Sequence, residues 1–514
     1  MSERKVRVRF APSPTGPLHM GGVRTALYNY LFAKKNNGEF ILRIEDTDQA
    51  RFIQGAESYI LKSLEWCGLI PDESPEHNGN YGPYRQSERK NMYRKYADEL
   101  IKKGKAYYAF DTPEDLEKVR EMAKNAKMPN WQYNVITRSS MKNSLTLSED
   151  ETKKLLEDGM PYTIRIKMPR NEDVRFYDEI RGWVVVNTSN MDDKVIFKGD
   201  GMPTYHLANV VDDFSMEITH VIRGEEWLPS APLHVLLYKY LDWEEHMPKF
   251  AHLPLILKPD GNGKLSKRDG DRLGFPVFPL QWQDPNTKEI YSGYKEKGYF
   301  PEAFINMLAF LGWNPGTSKE LFSINELINE FTLERVGKSG AKFDPDKTKW
   351  FNQQYLRNKS NIELAQLLKK KIDKDYTLEY LSEVAGLMKE RASFIDEMLE
   401  GDYLFNPPVE YDPKTLRKKW KDNTPENMQK LKNVLNEIPE FNAEKIEFYF
   451  KEFLEENQLG MGAVLPNFRL LITGKGMGPS MFQIAALLGK NEVVDRFNKG
   501  IEKISILKSE LDPI

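Results

Sequence analysis

The chain has 514 residues, more than one hydrophobic core supports, so its length predicts two to five domains. Hydrophobic residues make up 40% and charged residues 29% of the chain, and a mean hydropathy of -0.61 with no apolar run near twenty residues excludes a membrane span. The net charge of -3 excludes a basic protein that coats DNA, so a bound polyanion would need local basic patches.

The N-terminal residues and the single cysteine favour a reducing compartment. The start MSERKVRVRF has no apolar stretch of the signal-peptide type, and strand-like alternation begins by Val6. Cys67 is the only cysteine, so it cannot form an internal disulfide or contribute to a cysteine-rich zinc site. We therefore expect a cytoplasmic protein.

The first elements along the chain predict a parallel sheet. Apolar and arginine residues alternate through residues 6–10, which indicates a half-buried strand. A helical pattern follows from Gly22 to about Lys35, and residues 40–44 give a second strand. A strand, helix and strand in this order form a βαβ unit, and the same alternation returns around residues 204–257.

Other regions of the chain have a different pattern of apolar and polar residues. Residues from roughly 90 to 200 lose the alternation and combine a charged helix near 113–124 with polar and strand-like stretches. This pattern predicts a separate lobe inserted into the sheet domain. Beyond Trp350 the apolar spacing becomes helical, and one predicted helix ends at Gly489.

The loop after the first strand contains the stretch PLHMGG. Gly21 and Gly22 lack a Cβ, so a base or a phosphate could approach the start of the helix closely, where free N–H groups favour anions. His19 could donate a hydrogen bond to a phosphate oxygen. An isolated motif of four residues is more typical of a stiff surface loop that carries a surface histidine.

A glycine-rich basic loop follows the last strand of the second α/β block. In KPDGNGKLSKRDGD, Lys264, Lys267 and Arg268 could close over a triphosphate and stabilise charge on a leaving pyrophosphate. The spacing rules out a P-loop, because Lys258 stands where its first glycine belongs, and an EF-hand, because Leu265 takes the sixth position. A solvated basic loop is the alternative interpretation.

Charged residues also lie at the ends of predicted strands. In RIEDTD, Glu45, Asp46 and Asp48 could bind an ammonium group or Mg²⁺, although helix capping fits the two aspartates equally well. Three further polar residues lie in or beside other strands, where arginine could clamp a carboxylate: Arg9, Tyr205 and Arg223.

In combination these stretches closely resemble the bacterial glutamyl-tRNA synthetases, a family of class I aminoacyl-tRNA synthetases. HMGG resembles the family's HIGH signature and KLSKR its KMSKS signature. The likeness extends almost from end to end and includes these stretches: RFAPSPTGPLHMGGVRTALYNYLFA, FILRIEDTDQARF, GPYRQSERKNMYRKYADELIKKGKAYYAF, DGMPTYHLANVVDDFSMEITHVIRGEEWLPSAPLHVLLY, KTKWFNQQYLR and FQIAALLGKNEVVDRF.

The resemblance implies a role for each matching residue. It implies catalysis of adenylate formation by His19, Lys264 and Lys267, with ATP and Mg²⁺ and without a protein nucleophile. It implies an ATP site formed by His19, Gly21, Gly22, Glu226, Ile256, Lys264, Ser266, Lys267 and Arg268. It implies a glutamate site formed by Arg9, Ala11, Ser13, Glu45, Tyr205 and Arg223.

The resemblance also implies the domain plan of an α/β protein. A Rossmann-type catalytic domain with a parallel sheet would span residues 1–90 plus 200–258, with an inserted α+β lobe at 91–199 for the tRNA acceptor end. The KMSKS loop and stem-contact region would span 259–345, and an all-helical anticodon-binding domain 346–514. The partners would be L-glutamate and tRNA(Glu), not DNA or a membrane.

Four residues near the start of the helical region are expected to contact tRNA by stacking or by charge: Lys349, Trp350, Arg357 and Arg391. Trp420, within the basic run RKKWK, is interpreted as a core residue. Arg391 is the candidate reader of the third anticodon base. That base decides whether such an enzyme charges tRNA(Glu) alone or tRNA(Gln) as well, and the sequence leaves this choice open.

Two stretches depart from the family pattern. Some members bind zinc through cysteines in the acceptor-end lobe, but YYAFDTPED has none, so we predict no zinc. The aromatic stretch of about residues 270–298 is longer than expected. We expect it to pack on the stem-contact region and assign it no function.

Other functions fit the sequence less well. A glutaminyl-tRNA synthetase would have a different opening loop and a β-rich anticodon part. A truncated paralogue that modifies a tRNA base would lack the C-terminal helices, and small nucleotidyltransferases with a HIGH-type fold are much shorter. An inactive RNA-binding relative would not need His19 and Lys267. Nothing in the sequence suggests a coiled coil, so we expect a monomer.

Overall fold

The computed structural model describes residues 4–128, 130–261 and 263–511. The chain forms two compact units, one that ends at Thr348 and one that begins at Lys349. All the described strands lie in the first unit, and the second unit is built from helices.

The strands of the first unit are short, and several are buried on both faces. They are β1 (Arg7–Phe10), β2 (Glu39–Leu42), β3 (Ala106–Ala109), β4 (Thr163–Ile166), β5 (Asp173–Asp178), β6 (Gly182–Asn187), β7 (Val195–Phe197), β8 (His220–Gly224), β9 (Lys249–Leu253), β10 (Ile256–Leu257), β11 (Trp282–Gln283), β12 (Ile290–Tyr291) and β13 (Ala341–Lys342).

Ten helices accompany these strands. They are α1 (Met20–Lys35), α2 (Ala56–Trp66), α3 (Lys90–Lys102), α4 (Pro113–Asn125), α5 (Glu149–Glu157), α6 (Tyr205–Ser215), α7 (Ala231–Tyr240), α8 (Lys267–Leu273), α9 (Pro301–Phe310) and α10 (Ile324–Glu330).

The main sheet has six strands in the order β2-β1-β8-β9-β5-β6. Neighbouring strands are parallel except for β5 and β6, which form an antiparallel hairpin at one edge. The predicted β1-α1-β2 unit is present, so the carboxyl ends of β1, β8 and β9 meet at one edge of the sheet. The predicted fold class, a Rossmann-type α/β domain followed by an all-helical part, is confirmed.

The hairpin of β5 and β6 lies within residues 91–199, which the sequence assigns to the inserted lobe. In β5 the exposed and buried residues alternate, and the register pairs Asp178 of β5 with Phe250 of β9. The other three strands of that stretch, β3, β4 and β7, form a separate antiparallel sheet. Part of the predicted lobe therefore extends the catalytic sheet.

Helix α1 is buried on nearly every side because it packs between the strands β1, β2 and β8 and the helix α9. Its buried residues include the charged side chain of Arg24, whose guanidinium donates a 2.7 Å hydrogen bond to the Leu311 carbonyl. This packing fixes the start of α1 against the carboxyl ends of the strands.

The second unit consists of helices, as predicted. They are α11 (Pro345–Asn358), α12 (Asn361–Lys369), α13 (Leu378–Met388), α14 (Ile395–Leu399), α15 (Pro413–Lys419), α16 (Thr424–Glu437), α17 (Ala443–Glu456), α18 (Met461–Thr473), α19 (Met481–Leu488) and α20 (Lys490–Leu511). Gly489 ends α19, and Trp420 is only 2% exposed, which confirms its interpretation as a core residue. None of the described helices is long and apolar enough to cross a membrane.

Burial keeps several histidines of the first unit neutral. It lowers the pKa of His206 and of His220 to about 4, and the pKa of His234 well below its ordinary value. In the unfolded chain these side chains bind a proton near pH 6.5. Between pH 6.5 and pH 4 the unfolded state therefore binds more protons than the folded state, so stability rises with pH in this window.

We expect the free energy of unfolding to fall by about 1–2 kcal/mol for each such histidine when the pH drops from 7 to 5. Urea unfolding followed by circular dichroism at the two pH values measures the change. The control is His220→Gln, which removes one titrating group and should make stability less dependent on pH. An identical pH dependence in the two proteins would contradict the assignment of His220.

Candidate active site

A pocket of about 410 Å³ opens at the carboxyl ends of β1 and β8, beside the start of α1. In open α/β sheets ligands bind outside the carboxyl ends of the strands. Nine of the residues singled out in the sequence line it: Arg9, Ala11, Ser13, Gly21, Gly22, Glu45, Tyr205, Arg223 and Glu226. The whole predicted glutamate site is in this group.

The other residues predicted to bind ATP do not line the pocket: His19, Ile256, Lys264, Ser266, Lys267 and Arg268. His19 lies at the start of α1, and Ile256 lies in β10. The remaining four belong to the loop before α8 or to its first turn.

His19 occupies the N-cap position of α1, where its Nδ1 accepts a 3.2 Å hydrogen bond from the Gly21 N–H. Burial, with a contribution from Lys264, lowers the pKa of His19 to about 4, so the ring is neutral at pH 7. Because Nδ1 is the acceptor, the proton resides on Nε2. Nε2 is buried and has no partner among the described residues, so His19 presents an unused N–H donor.

The two glycines of the HMGG motif serve different purposes. A Cβ on Gly22 would lie 2.5 Å from the Leu18 Cδ1 atom, so the buried side chain of Leu18 would have to shift. A Cβ on Gly21 would lie 3.6 Å from the His19 Nδ1 atom, which is an ordinary contact. Packing does not require Gly21, but any side chain there would enter the pocket that Gly21 lines.

Glu45 brings a buried carboxylate to the pocket. Its Oε1 accepts from Arg43 Nη2 at 3.0 Å and from Asn209 Nδ2 at 3.2 Å. Both of these bonds end on Oε1, so Oε2 remains for a cation in the pocket. Burial raises the pKa of Glu45 although the charge of Arg43 opposes the shift.

The two aspartates of RIEDTD have partners within the protein, although Asp46 is not the N-cap residue of a described helix. Asp46 accepts from the Ser87 N–H at 2.8 Å and from the Ser87 hydroxyl at 2.6 Å. Asp48 accepts from Arg51 Nε at 2.6 Å on the surface. Only Glu45 of this stretch lines the pocket.

Asp213 anchors Arg9 beneath the pocket. Its Oδ1 accepts from Arg9 Nε at 3.0 Å and from Arg43 Nη1 at 2.7 Å, and its Oδ2 accepts from Arg9 Nη2 at 3.3 Å. Burial alone would raise the pKa of Asp213, but the two arginines outweigh it and hold the pKa below its ordinary value. The N–H groups of Arg9 that Asp213 does not use remain for an anion in the pocket.

Arg223 is held in one orientation by three acceptors. Nε donates to His252 Nε2 at 3.0 Å, Nη1 to the Tyr205 hydroxyl at 2.8 Å, and Nη2 to the Trp227 carbonyl at 3.3 Å. A guanidinium has five N–H groups, so two remain for a ligand. The register of β8 and β9 pairs Arg223 directly with His252.

Asp178 fixes the tautomer of His252. Since His252 Nε2 accepts from Arg223, its proton resides on Nδ1, which donates to Asp178 Oδ2 at 2.6 Å. Burial lowers the pKa of His252, which keeps the ring neutral. Asp178 Oδ1 accepts from the N–H groups of Ile180 and Arg181, at 3.0 and 2.8 Å.

Asp178 and His252 are fully buried and were not predicted as site residues. Their only sequence signal is a histidine in the apolar run of a strand, and nothing in the sequence connects it with an aspartate 74 residues away. Arg43, Asn209 and Asp213 were missed for the same reason.

The basic loop is tied to the protein at several points. Lys264 Nζ donates to Glu226 Oε1 at 2.8 Å, and the Leu265 N–H donates to the Ile256 carbonyl at 2.8 Å. Ser266 caps α8 through a reciprocal capping box with Asp269. The Lys264–Glu226 pair is exposed, and such pairs are weak, so an incoming anion can replace it.

Three of the residues predicted to contact tRNA lie in the helix α11, Lys349, Trp350 and Arg357, and Arg391 lies in the turn between α13 and α14. Arg391 lines a pocket of about 880 Å³ together with Glu390, Phe441 and Gln483. Lys349 pairs with Glu397 at 3.0 Å, and Arg357 pairs with Glu390 at 3.4 Å. The ring of Trp350 packs edge-on against Phe351, with 5.2 Å between their centroids.

Two family models match the chain. The catalytic domain of class I tRNA synthetases (E and Q) matches residues 5–350, and an anticodon binding domain matches residues 363–501. Curated relatives include a glutamate–tRNA ligase of Phocaeicola vulgatus, 55% identical over 98% of this chain and 99% of that protein. A glutamate–tRNA ligase of Cytophaga hutchinsonii is 54% identical over 98% of each chain.

Solved structures agree with these relatives. A glutamate tRNA ligase from Elizabethkingia meningosepticum in complex with its amino acid superposes with a TM-score of 0.95 at 51% identity, covering 98% of this chain and 100% of that chain. A glutamate-tRNA synthetase from Elizabethkingia anophelis gives a TM-score of 0.92 at 51% identity over 97% and 100% of the two chains. The chain therefore belongs to the glutamate–tRNA ligases, a family of class I aminoacyl-tRNA synthetases.

Proposed function

We propose that this glutamate–tRNA ligase activates L-glutamate with ATP and then transfers the glutamyl group to the 3′-terminal adenosine of tRNA(Glu). The observation that carries the proposal is the charge pattern of the pocket. Of its charged lining residues, Arg51 is paired with Asp48 and Glu226 with Lys264. This leaves Arg9, Arg223 and Glu45 for a ligand, and the substrate carries two carboxylates and one ammonium group. The charges of site and substrate are therefore complementary.

Each charged group of glutamate has a matching side chain in this proposal. Glu45 Oε2 accepts from the ammonium group, while Arg9 and Arg223 donate to the two carboxylates through their unused N–H groups. Three neighbouring residues complete the wall of the glutamate site: Ala11, Ser13 and Tyr205. The buried supports of both arginines keep them in place without substrate, as preorganised catalysis requires.

ATP would bind beside glutamate at the start of α1. Gly21 and Gly22 admit the nucleotide against the backbone, with Glu226 and the backbone near Ile256 on the other side. His19 Nε2–H donates to a phosphate oxygen. Ser266 and Arg268 approach the phosphates with Lys264 and Lys267, and we propose that Mg²⁺ arrives as the counter-ion of the triphosphate.

The first step forms a mixed anhydride. An oxygen of the glutamate α-carboxylate attacks the α-phosphorus of ATP, and the bond to the bridging oxygen breaks, so pyrophosphate leaves with the electron pair. His19, Lys264 and Lys267 stabilise the charge that develops on the phosphates. A hydroxyl of the terminal adenosine then attacks the carbonyl carbon of the adenylate, and AMP leaves.

Contacts with tRNA would follow the predicted domains. The lobe within 91–199 approaches the acceptor end, 259–345 contacts the stem, and 346–514 binds the anticodon. The tRNA-contacting residues of the second unit are Lys349, Trp350, Arg357 and Arg391.

We place the enzyme in the cytoplasm as a monomer that needs no zinc. Among the described residues no group of three or more His, Cys, Asp or Glu is arranged to hold a metal ion.

Aminoacylation of purified tRNA tests the proposal. The enzyme is incubated with ATP, Mg²⁺ and labelled glutamate or glutamine, with tRNA(Glu) and tRNA(Gln) in separate reactions. Glutamate on tRNA(Glu) alone is expected. Glutamate on both tRNAs would identify a non-discriminating enzyme, whose product on tRNA(Gln) needs a partner amidotransferase. If the enzyme charges tRNA with glutamine, or charges neither tRNA, the result would contradict the proposed substrate.

A further inference from the structure

Residues 275–294 form a strap that follows the basic loop and the helix α8. The sequence predicts that this stretch packs on the stem-contact region and indicates no function for it. In the structure its strands β11 and β12 pair as a small antiparallel ribbon, and its chain packs on the helices α1 and α2. The Tyr59 hydroxyl of α2 donates to the Leu280 carbonyl at 2.5 Å and accepts from the Leu280 N–H at 3.2 Å.

The strap contacts the HMGG motif directly. The Met20 N–H, one residue after His19, donates to the Val277 carbonyl at 2.8 Å. Phe278 is buried and meets the His19 ring edge-on, with 6.1 Å between ring centroids and an interplanar angle of 83°. The strap therefore forms one wall around the ring whose Nε2–H lacks a partner among the described residues.

The same strap contacts the KLSKR motif. The ammonium nitrogen of Lys267 lies 3.3 Å from the centroid of the Tyr291 ring, over its face. Tyr291 in turn meets Phe278 edge-on at 6.1 Å. A continuous series of contacts thus runs from His19 through Phe278 and Tyr291 to Lys267.

Lys267 is absent from the residues that line the substrate pocket. In its proposed role, the ammonium group of Lys267 would exchange the face of Tyr291 for a phosphate of ATP. A cation–π contact contributes ~0.5–1 kcal/mol at an exposed site and more when water is excluded. ATP therefore competes with the ring for the same cation.

We propose that Tyr291 is a positioning residue that holds Lys267 in a resting place until the triphosphate of ATP draws the lysine away. Phe278 orients this ring and, through the same strap, fixes the orientation of His19. The strap thereby influences the KM of the enzyme for ATP. This inference rests on the proposed role of Lys267 in binding the phosphates.

A series of substitutions at Tyr291 tests the inference by the KM for ATP in glutamylation of tRNA, with glutamate and tRNA saturating. Tyr291→Leu removes the aromatic face and is expected to lower the KM for ATP about 2- to 5-fold with little change in kcat. Tyr291→Phe keeps the face and should match the native enzyme. Tyr291→Trp provides the strongest face and should raise the KM.

A purely structural role for Tyr291 would not follow this order, because Leu and Trp would then both impair the enzyme and neither would lower the KM for ATP. Thermal unfolding of each variant shows whether the fold persists. If Tyr291→Leu does not fold, the KM for ATP of the Phe and Trp variants still tests the inference. A KM that is equal in these two variants, or that is lowest in the Trp variant, would overturn the inference.

Combining Tyr291→Leu with Lys267→Ala separates this inference from the proposed function. Without the lysine, loss of the ring should leave the KM for ATP unchanged, since Tyr291 acts through Lys267. The same 2- to 5-fold decrease in the Lys267→Ala background would overturn the inference while sparing the role of Lys267. Native activity in Lys267→Ala alone would instead overturn the proposed role of the lysine.

Discussion

Replacing His19 with asparagine is expected to slow glutamyl-adenylate formation by ~10²–10³, the loss typical when one donor to a transition-state oxyanion is removed. His19 has two functions that the structure separates by atom. Nδ1 caps α1 by accepting from the Gly21 N–H, and Nε2 carries the proton of the neutral ring with no partner among the described residues. Asparagine is a good N-cap residue, so it preserves the first function and deletes the second.

ATP–pyrophosphate exchange in the presence of tRNA measures this first step. The matched variant is His19→Ala, which loses the cap as well and should unfold more easily by ~0.5–2 kcal/mol. Both variants should lose the same amount of activity although only one loses stability. Near-native exchange by the asparagine variant would show that His19 serves the helix rather than the phosphates.

The low pKa of His19 predicts how its contribution depends on pH. Burial lowers the pKa to about 4, so the neutral ring with its proton on Nε2 persists throughout the range in which enzymes of this kind are assayed. Protonation of Nδ1 would remove the acceptor of the Gly21 N–H bond. The helix cap by His19 should thus be constant above pH 5 and be lost only as the pH falls toward 4, while Nε2 keeps its proton in both states.

Much of the site could be predicted from the sequence because its residues follow recognisable elements. Arg9 and Arg223 lie in strands and Glu45 just follows one, and the carboxyl ends of parallel strands meet at one edge of a sheet. The glycines of HMGG follow the first strand and open a helix. Periodicity and these positions are local properties, so they predicted both the sheet and the residues around the pocket.

What the sequence could not predict depends on contacts between distant stretches. The alternation of buried and exposed residues in β5 indicates a strand, but it does not say which sheet the strand joins. Only its pairing with β9 brings Asp178 to His252. Likewise, the aromatic residues of the strap indicate packing, but only the folded chain places Tyr291 over Lys267.

The Asp178–His252 pair leads to the second large effect that we expect. Asp178→Asn should raise the KM for glutamate ~10- to 100-fold, the range typical of residues that orient a binding group from behind. Asp178 Oδ1 accepts from three backbone N–H groups, those of Ile180, Arg181 and His252. The amide oxygen of asparagine must keep these bonds, so its NH₂ group takes the place of Oδ2 and faces His252 Nδ1.

That exchange forces the opposite tautomer on His252. A donor facing Nδ1 makes Nδ1 an acceptor, so the ring proton moves to Nε2, where it meets the Nε–H of Arg223. Two donors then oppose each other in a fully buried place, and Arg223 loses the bond that fixes its orientation. The KM for ATP should stay within about twofold of the native value, since Asp178, His252 and Arg223 are not among the residues proposed to bind ATP.

His252→Gln is the companion variant that separates orientation from mere packing. Its amide can place the oxygen toward Arg223 and the NH₂ group toward Asp178, which reproduces the polarity of the native ring, whereas His252→Leu fills the space without either bond. We therefore expect the KM for glutamate to be nearly native in the glutamine variant and raised ~10- to 100-fold in the leucine variant. Equal KM values in these two variants would mean that the volume of the ring, and not its hydrogen bonds, supports Arg223.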